Sequence, residues 1–303
     1  MFQSLEDAKM NWIIHLRDQV NCSEHTVIAY ANDLEDFLRF LSEYLGNEIT
    51  LQIVADADIR TFRSWLAHRF GQKKAASSSA RAVASLRNFY RFLIDHSCCQ
   101  GSKIFAIKTP KKAVLNPKAL SESDTLECLA HLSSIKTNWT NLRDETLLML
   151  IYGTGCRISE ALSITKNHLK EDAFKIIGKG NKQRIIPMLP SLRSKLNQYL
   201  EQIPFFLENN APIFIGKFGK PLQSSTFRAI IQKMRKVLDL SKTVTPHAFR
   251  HSFATHLLNN GANLRAIQDL LGHVSLSSTQ IYTKVELTHL KKAYESHPLN
   301  KGV

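Results

Sequence analysis

Apolar residues in the first hundred positions recur at the spacing of an α-helix, and no run there alternates as a β-strand does. The clearest apolar stripe lies within residues 23–46 and is formed by Val27, Tyr30, Leu34, Phe37, Leu38 and Leu41. Ser23 is a residue type that caps helix starts, and Gly46 is suited to end the same helix. Further helices are predicted from Ala57 to Phe70 and over residues 77–96, where the opening serines are expected to cap. The first part of the chain is therefore predicted to be helical throughout.

The helical spacing stops between residues 101 and 118, a stretch with five lysines, two prolines and no acid. Proline favours extended backbone at the residue before it, so this stretch is predicted to be a basic linker. A chain of 303 residues also exceeds the usual size of a single domain. We therefore predict a helical domain at 1–107, a linker at 108–118 and a second domain at 119–303.

The second domain changes its pattern once along the chain. Ser121 and Asp124 are placed to cap a first helix, and a largely apolar helix ends at the glycines of YGTG. Two short β-rich runs follow, at residues 174–177 and 184–187, around a glycine-containing turn, and this predicts a β-hairpin. Helical spacing then returns, so the second domain is predicted to be mostly helical with one small sheet.

Composition and charge narrow the class of partner. The chain carries 40 lysines and arginines against 26 acids, a formal net charge of +14, and DNA, RNA and an anionic membrane surface all fit this excess. The longest purely apolar run, Leu147 to Tyr152, is too short to cross a bilayer, and the N-terminus lacks the pattern of a secretion signal. The five cysteines show no zinc-ligand or redox spacing. We expect a cytoplasmic protein with reduced thiols and no membrane insertion.

Several basic side chains before the second domain are candidates for contacts with DNA phosphates. Arg81 and Arg87 lie on the third predicted helix, beside its apolar stripe. Lys108, Lys111 and Lys112 lie in the predicted linker. Solvated surface charge is the more common role of arginines on such a helix, and an ordinary solvated tether explains the three lysines equally well on composition alone.

Two arginines of the second domain are suited to bind one phosphate. Arg157 follows the glycine-closed helix end, where a reversal of the chain can expose it. Arg250 follows His247 by three positions, which puts both on one face at the start of a helix that Pro246 opens. Guanidinium groups match the non-bridging oxygens of a phosphate, and a helix start adds free N–H groups. A zinc site at His247 and His251 is the competing interpretation, but the sequence offers no obvious carboxylate as the third ligand.

A tyrosine and further cations complete a set that can cut a phosphodiester bond. The phenol of Tyr282 becomes a nucleophile when its proton is removed, and His273 lies nine positions before it. The leaving oxygen needs a proton donor, and three cations near the hairpin turn can supply it, namely Lys179, Lys182 and Arg184. These residues alone leave the choice of donor open.

Four segments carry a resemblance to a known family: GTGCRISEAL, IIGKGNKQRIIP, TPHAFRHSFATHLL and LLGHVSLSSTQIYT. They closely resemble the tyrosine recombinases and, among these, the Xer site-specific recombinases, with the overall likeness favouring the XerC group. The stretches SEHTVIAYANDLEDFLRFL and RAVASLRNFYRFL resemble the core-binding domain of the same family. The resemblance covers nearly the whole chain.

This resemblance implies a mainly α, two-domain clamp around double-stranded DNA. A helical, SAM-like core-binding domain is expected on one side, and on the other a mostly helical catalytic domain with a small antiparallel sheet. The family's catalytic positions correspond here to Arg157, Lys179, His247, Arg250, His273 and Tyr282. The arginines are implied to bind the scissile phosphate while Tyr282 attacks it, which leaves a 3′-phosphotyrosyl bond. The resemblance further implies His247 as proton acceptor, Lys179 as acid and His273 as hydrogen-bond donor.

The resemblance also implies the partners of the chain. No metal and no ATP would be required, because the tyrosyl ester conserves the bond energy and arginines take the place of metal ions. Members of the Xer branch form a heterotetramer with a second, XerD-like recombinase and resolve chromosome dimers at cell division under an FtsK-type DNA translocase. Their C-terminal helix docks on a neighbouring subunit. Residues 285–294 have a compatible apolar face, and docking on their own domain fits them equally.

Three alternatives fit the same residues. An integrase of a phage or mobile element would use the same chemistry. A type IB topoisomerase would also use it, but would relax DNA without pairing two sites. A non-catalytic DNA-binding regulator would keep the fold and form no covalent bond with DNA.

Overall fold

The structure is a computed structural model, and it describes residues 2–110, 119–135, 138–170, 173–177, 183–271 and 297–300. The chain divides into two compact units, Met1–Leu115 and Asn116–Val303. This division falls within the predicted linker at 108–118. Lys111 and Lys112 lie outside the described residues, so the limits of the linker and its contact with DNA stay predictions.

The first unit consists of α1 (Leu5–Asp18), α2 (Glu24–Leu45), α3 (Leu51–Ala55), α4 (Ile59–Gly71) and α5 (Ala76–Asp95), with a 3₁₀ turn at Lys103–Ala106. Helix α2 begins and ends at the predicted signals. The Ser23 hydroxyl accepts a hydrogen bond from the Thr26 amide at 3.3 Å, and Gly46 ends the helix in the left-handed conformation with φ +68°. Both sequence signals for this helix are confirmed.

The start of α5 differs from the prediction that its serines act as caps. Ala75 is the N-cap, and no side chain makes a capping hydrogen bond there. Because the helix begins at Ala76, the serines at 77–79 lie within its first turn instead of before it. Ser79 is buried and accepts a hydrogen bond from Arg69 Nε at 3.4 Å.

The core of the first unit is rich in aromatic rings. Six of them are fully buried: Trp12, Phe37, Phe62, Trp65, Phe89 and Tyr90. The rings of Phe37 and Trp65 meet edge to face with centroids 5.3 Å apart, a preferred aromatic geometry. The Tyr90 hydroxyl donates to the Val54 carbonyl at 2.6 Å, which satisfies its polar end. Apolar burial therefore accounts for the compactness of this unit.

The second unit contains α6 (Glu122–Ser134), α7 (Trp139–Thr154), α8 (Ile158–Leu162), β1 (Ala173–Ile177), β2 (Gln183–Pro187), α9 (Pro190–Gln202), α10 (Ser224–Val237), α11 (Pro246–Asn259) and α12 (Leu264–Leu271). Helix α7 is buried from Leu142 to Thr154 and packs against α6, α9 and α11. A helix buried on all sides is typical of the centre of a domain. Neither α7 nor any other helix of the described residues is long and apolar enough to cross a membrane.

The predicted hairpin is confirmed as an antiparallel pair of β1 and β2, with Ile176 opposite Arg184. Ile176 and Ile186 are buried and pack in the core of the second unit. Residues 178–182, which contain the predicted turn, lie outside the described residues. The hairpin is therefore attached to the core through its two strands.

The described C-terminal residues pack into the second unit. His297, Pro298 and Leu299 are buried, and the His297 ring lies 4.8 Å from Tyr152 and 5.6 Å from Phe253 between ring centroids. The apolar helix face predicted at 285–294 lies outside the described residues, and its docking partner stays a prediction.

Candidate active site

The C-terminal end of α7 places Arg157. Gly155 ends this helix in the left-handed conformation with φ +63°, and its amide donates to the Ile151 carbonyl at 2.9 Å. A Cβ at Gly155 would lie 2.5 Å from the Phe253 ring, so packing also requires glycine there. Arg157 is the N-cap of α8, and its side chain is 43% exposed. The reversal of the chain predicted at YGTG thus presents Arg157 to solvent.

Glu160, a residue absent from the predicted set, pairs with Arg157 from inside the protein. Its carboxylate is 7% exposed. Oε1 accepts a hydrogen bond from Arg157 Nη1 at 2.8 Å, and Oε2 accepts from the Arg157 backbone amide at 2.7 Å. Because Glu160 is the third residue of α8, the bond to the amide is the reciprocal half of a capping box. The spacing of Arg157 and Glu160 is the sequence signal that indicates this contact.

A second arginine binds the same carboxylate from the hairpin. Arg184 of β2 donates from Nη1 to Oε1 of Glu160 at 3.0 Å and from Nη2 to Oε2 at 2.5 Å. Two parallel bonds of this kind form the strongest pairing between arginine and carboxylate. The side chain of Arg184 is 4% exposed and stays charged. It is therefore unsuited to be the proton donor for which the sequence left it a candidate.

Arg250 lies one turn into α11 and is 6% exposed. Its Nη1 donates to the Gly155 carbonyl, and its Nη2 donates to the Leu271 carbonyl at 2.6 Å. Nη1 also lies 3.7 Å from Oε2 of Glu160. A guanidinium carries five N–H donors, so these two carbonyls use only part of its capacity. The structure brings Arg250 and Arg157 to one carboxylate.

His247 is exposed in the first turn of α11, which Pro246 opens at its first position as predicted. Partial burial, then the charges of Arg250, His251 and Arg157, lower the pKa of His247 below its ordinary value. The imidazole is therefore neutral at neutral pH. A neutral imidazole can accept a proton, which is the role predicted for this residue.

The charges of the site are unbalanced in favour of an anion. Burial alone would raise the pKa of Glu160, but hydrogen bonds and charges from Arg184 and Arg157 lower it to about 2. Burial, then the charges of Arg157 and Arg184, lower the pKa of Arg250 to about 10, so it remains charged at neutral pH. Three guanidiniums and one carboxylate leave two positive charges in excess. Such a cluster is suited to a phosphate whose negative charge grows during reaction.

Three of the six predicted catalytic residues, Arg157, His247 and Arg250, are described. Arg157 and Arg250 contact Glu160, and His247 lies close enough for the charges of both arginines to lower its pKa. The other three predicted positions, Lys179, His273 and Tyr282, lie outside the described residues, and their place in the site stays a prediction.

The arginines predicted to contact DNA from the first unit have partners inside that unit. Arg81 donates from Nε and Nη2 to the carboxylate of Asp33 at 2.7 and 3.0 Å. Arg87 donates from Nη2 to the Ile107 carbonyl at 2.5 Å. These contacts account for both side chains through the packing of the helical unit. Binding of DNA by these arginines and by the exposed Lys108 stays a prediction.

One further reactive side chain adjoins the site. Cys156 precedes Arg157 and is fully buried, and burial raises the pKa of its thiol to about 11. The protonated, enclosed thiol is unsuited to act as a nucleophile. In the described part of the chain, no three His, Cys, Asp or Glu side chains are grouped so as to bind a metal ion.

The sequence matches two family descriptions. Residues 119–289 match the phage integrase family, and residues 10–97 match the phage integrase N-terminal SAM-like domain. Together these matches cover more than half of the chain, and the chain belongs to the phage integrase family.

Individual relatives extend over almost the full length. Tyrosine recombinase XerC of Rickettsia canadensis is 47% identical over 98% of this chain and 99% of that protein, and tyrosine recombinase XerC of Rickettsia typhi is 48% identical with the same coverage. Among solved structures, a lambda integrase tetramer bound to a Holliday junction matches with a TM-score of 0.69 and 19% identity, over 92% of this chain and 80% of that one. The XerH site-specific recombinase bound to a palindromic difH substrate matches with a TM-score of 0.65 and 20% identity, over 96% and 80%. These two likenesses confirm the mainly helical recombinase fold.

Proposed function

We propose that the chain is a site-specific tyrosine recombinase that cuts and rejoins DNA through a covalent 3′-phosphotyrosyl intermediate. The observation that carries the proposal is the convergence of Arg157 and Arg250 on one buried carboxylate, Glu160, in a chain of this family. Two guanidiniums directed at one pocket can bind the non-bridging oxygens of a scissile phosphate. They stabilise the charge that develops there, without a metal ion.

The roles of the remaining residues follow from the chemistry of the reaction. The hydroxyl oxygen of Tyr282 forms a bond to phosphorus while the bond to the 5′-oxygen breaks. His247 accepts the phenolic proton, and Lys179 donates a proton to the leaving 5′-oxygen. His273 donates a hydrogen bond to the phosphate in the transition state. A free 5′-hydroxyl from the partner duplex then attacks the tyrosyl ester and reverses these steps.

The partner is double-stranded DNA, which a chain with a net charge of +14 attracts. The likeness to XerC proteins at 47 to 48% identity supports a finer assignment, the resolution of chromosome dimers at cell division. In that assignment the chain forms a heterotetramer with a second, XerD-like recombinase and is controlled by an FtsK-type DNA translocase. An enzyme of this kind works where the bacterial chromosome lies, in the cytoplasm.

Covalent trapping tests the proposal. The full chain first selects its binding fragments from host genomic DNA, and a selected site is then made into a duplex nicked next to the scissile position. We expect the wild type to form a protein–DNA adduct that resists denaturant. Tyr282→Phe should bind the duplex with unchanged affinity and form no adduct, because it lacks the nucleophilic oxygen. Tyr44→Phe, which changes a half-exposed tyrosine of the first unit, is the matched control and should form the adduct normally.

Each contrary outcome has a definite meaning. An adduct in Tyr282→Phe assigns the nucleophile to another residue. Binding without any adduct in the wild type makes the chain a DNA-binding regulator. Selected sites at the ends of a mobile element, and none in the chromosome outside it, favour an integrase over a resolvase of chromosome dimers.

A further inference from the structure

Arg184 differs from the two arginines that bind the phosphate in the proposed function. The exposed fraction of its side chain is 4%, against 43% for Arg157. Both of its terminal nitrogens donate to the carboxylate of Glu160. A guanidinium enclosed and oriented in this way is turned toward Glu160 and has little surface to offer to DNA. These two hydrogen bonds therefore connect Arg184 to Arg157 through the Glu160 carboxylate.

The fork of Arg184 determines where the Glu160 oxygens lie. Arg184 contacts both oxygens, and Arg157 contacts the same two, through Nη1 and through its backbone amide. Two parallel bonds prevent the carboxylate from rotating, whereas a single bond would allow it. Arg157 consequently meets an acceptor at one defined position. Its long side chain loses rotational freedom before a phosphate arrives.

The same pair links two parts of the catalytic unit. Arg184 lies in β2 opposite Ile176 of β1, and residues 178–182, which include Lys179, connect the two strands. Glu160 lies in the first turn of α8, the helix of which Arg157 is the N-cap. The ion pair therefore attaches the hairpin to the start of the helix that carries the phosphate-binding arginine.

We propose that Arg184 is a positioning residue that, through the Glu160 carboxylate, sets the direction in which Arg157 faces the scissile phosphate and attaches the hairpin beside it. This inference rests on the proposed function and deepens it. Arg184, a buried residue of β2, then affects the rate of cleavage and does not affect the affinity for DNA.

Arg184→Met and Arg184→Lys test the inference in the trapping assay with the selected nicked duplex. Met keeps much of the length of the side chain and removes the charge, and Lys keeps the charge and removes the fork. We expect Arg184→Met to form the adduct about a hundredfold more slowly, by analogy with the cost of misplacing a reacting group. The rate of adduct formation by Arg184→Lys should lie between the rates of Arg184→Met and the wild type. The dissociation constant of each variant for the uncleaved duplex should stay within about twofold of the wild-type value, since in this inference Arg184 does not contact DNA.

A double-mutant cycle separates positioning from a general loss of structure. If Arg184 acts through Glu160, Arg184→Met combined with Glu160→Gln should cleave no more slowly than Glu160→Gln alone. The double variant also removes both members of the Arg184–Glu160 pair, so neither of these two charges is left without the other if a single variant folds poorly. The exposed pair of Arg17 and Glu24 in the first unit is also joined by two hydrogen bonds, from Nε and Nη2 of Arg17, and Arg17→Met is the matched control.

The outcomes distinguish this inference from the proposed function. A wild type that forms no adduct refutes the proposed function, and the inference with it. A wild type that forms the adduct while Arg184→Met cleaves at the same rate overturns the inference alone. A parallel loss of DNA affinity in Arg184→Met, or effects of Arg184→Met and Glu160→Gln that multiply in the double variant, also overturns it.

Discussion

Replacement of Glu160 by glutamine should destabilise the second unit in a way that depends on pH. The side chain keeps its shape and loses its charge, which leaves Arg157, Arg184 and Arg250 without their shared counter-charge. Removal of one partner from a buried ion pair typically costs about 3 to 5 kcal/mol. The lowered pKa of Glu160 leads to a stabilisation of similar size.

The pKa of Glu160 falls from its ordinary value of 4.5 to about 2 in the folded protein. At about 1.4 kcal/mol for each pH unit, this difference corresponds to about 3 kcal/mol of stability at neutral pH. Because the folded pKa is depressed, this stabilisation is present above pH 4.5 and is lost as the pH falls toward 2. At about pH 3.5 the wild type has lost about 1.4 kcal/mol of this stabilisation. Glu160→Gln has no carboxylate at this position and therefore loses none of it.

The three tryptophans make the measurement specific for each unit. Trp12 and Trp65 lie in the first unit and Trp139 in the second, so ¹⁹F NMR of chain labelled with 5-fluorotryptophan follows the two units separately during urea unfolding. We expect the Trp139 signal of Glu160→Gln to report a free energy of unfolding about 3 kcal/mol below that of the wild type at neutral pH. The gap should narrow at about pH 3.5. Glu201→Gln, at an exposed acid of α9, should stay within about 0.5 kcal/mol of the wild type at both pH values.

Two results would refute this reasoning. Equal stability of Glu160→Gln and wild type at neutral pH would show that the three arginines do not need the carboxylate. A gap of the same size at both pH values would assign the loss to packing, since packing does not titrate.

Two further predictions concern the ends of α7 and α11. Gly155→Ala should lower the free energy of unfolding of the second unit by about 1 kcal/mol, because the backbone at this position is left-handed. Overlap of the added methyl group with Phe253 should lower it by about 1 to 3 kcal/mol more. Urea titration of the Trp139 signal measures the total loss. Gly46 also has a left-handed backbone, and a Cβ added there would have no atom within 4 Å, so Gly46→Ala should lose only the backbone contribution. Equal losses of stability in the two variants would contradict the packing argument. The rate of adduct formation should decline as the pH falls, with its midpoint below pH 6.5, because the pKa of His247 is lowered from that value and its protonation removes the acceptor. His251→Gln, at an exposed neighbour, should leave that decline in place, and a half-maximal rate at or above pH 6.5 would exclude His247 as the acceptor.

The helices and the hairpin could be predicted because their signals are local. Ser23 and Gly46 bound α2 as expected, Pro246 opens α11, and the two β-rich runs pair as a hairpin. Each signal acts through hydrogen bonds or dihedral angles within a few residues of itself. The serines at 77–79 failed as caps because α5 begins at Ala76, and a difference of two residues in where a helix begins turns a cap into an interior position.

The candidate site was predicted only in part, because the sequence does not show which charged residues pair. Arginine, histidine and tyrosine were selected by the chemistry of a phosphodiester, which is readable from residue types and order. The partners of those residues are not readable in this way. Glu160 and Arg184 are 24 positions apart, and nothing in the sequence indicates that they pair, yet both are buried and joined by two hydrogen bonds.

The amino-acid order by itself determined the helical content, the two-unit organisation and the residue types available for phosphoryl transfer, because these depend on local periodicity and on side-chain chemistry. Only the tertiary structure decided which charges face one another. Arg81 and Arg87 acquired partners within their own unit, and three guanidiniums of the second unit came to share one carboxylate. Pairing of charges is decided by distance and burial after the chain has folded, and residues far apart in the chain carry no local mark of it.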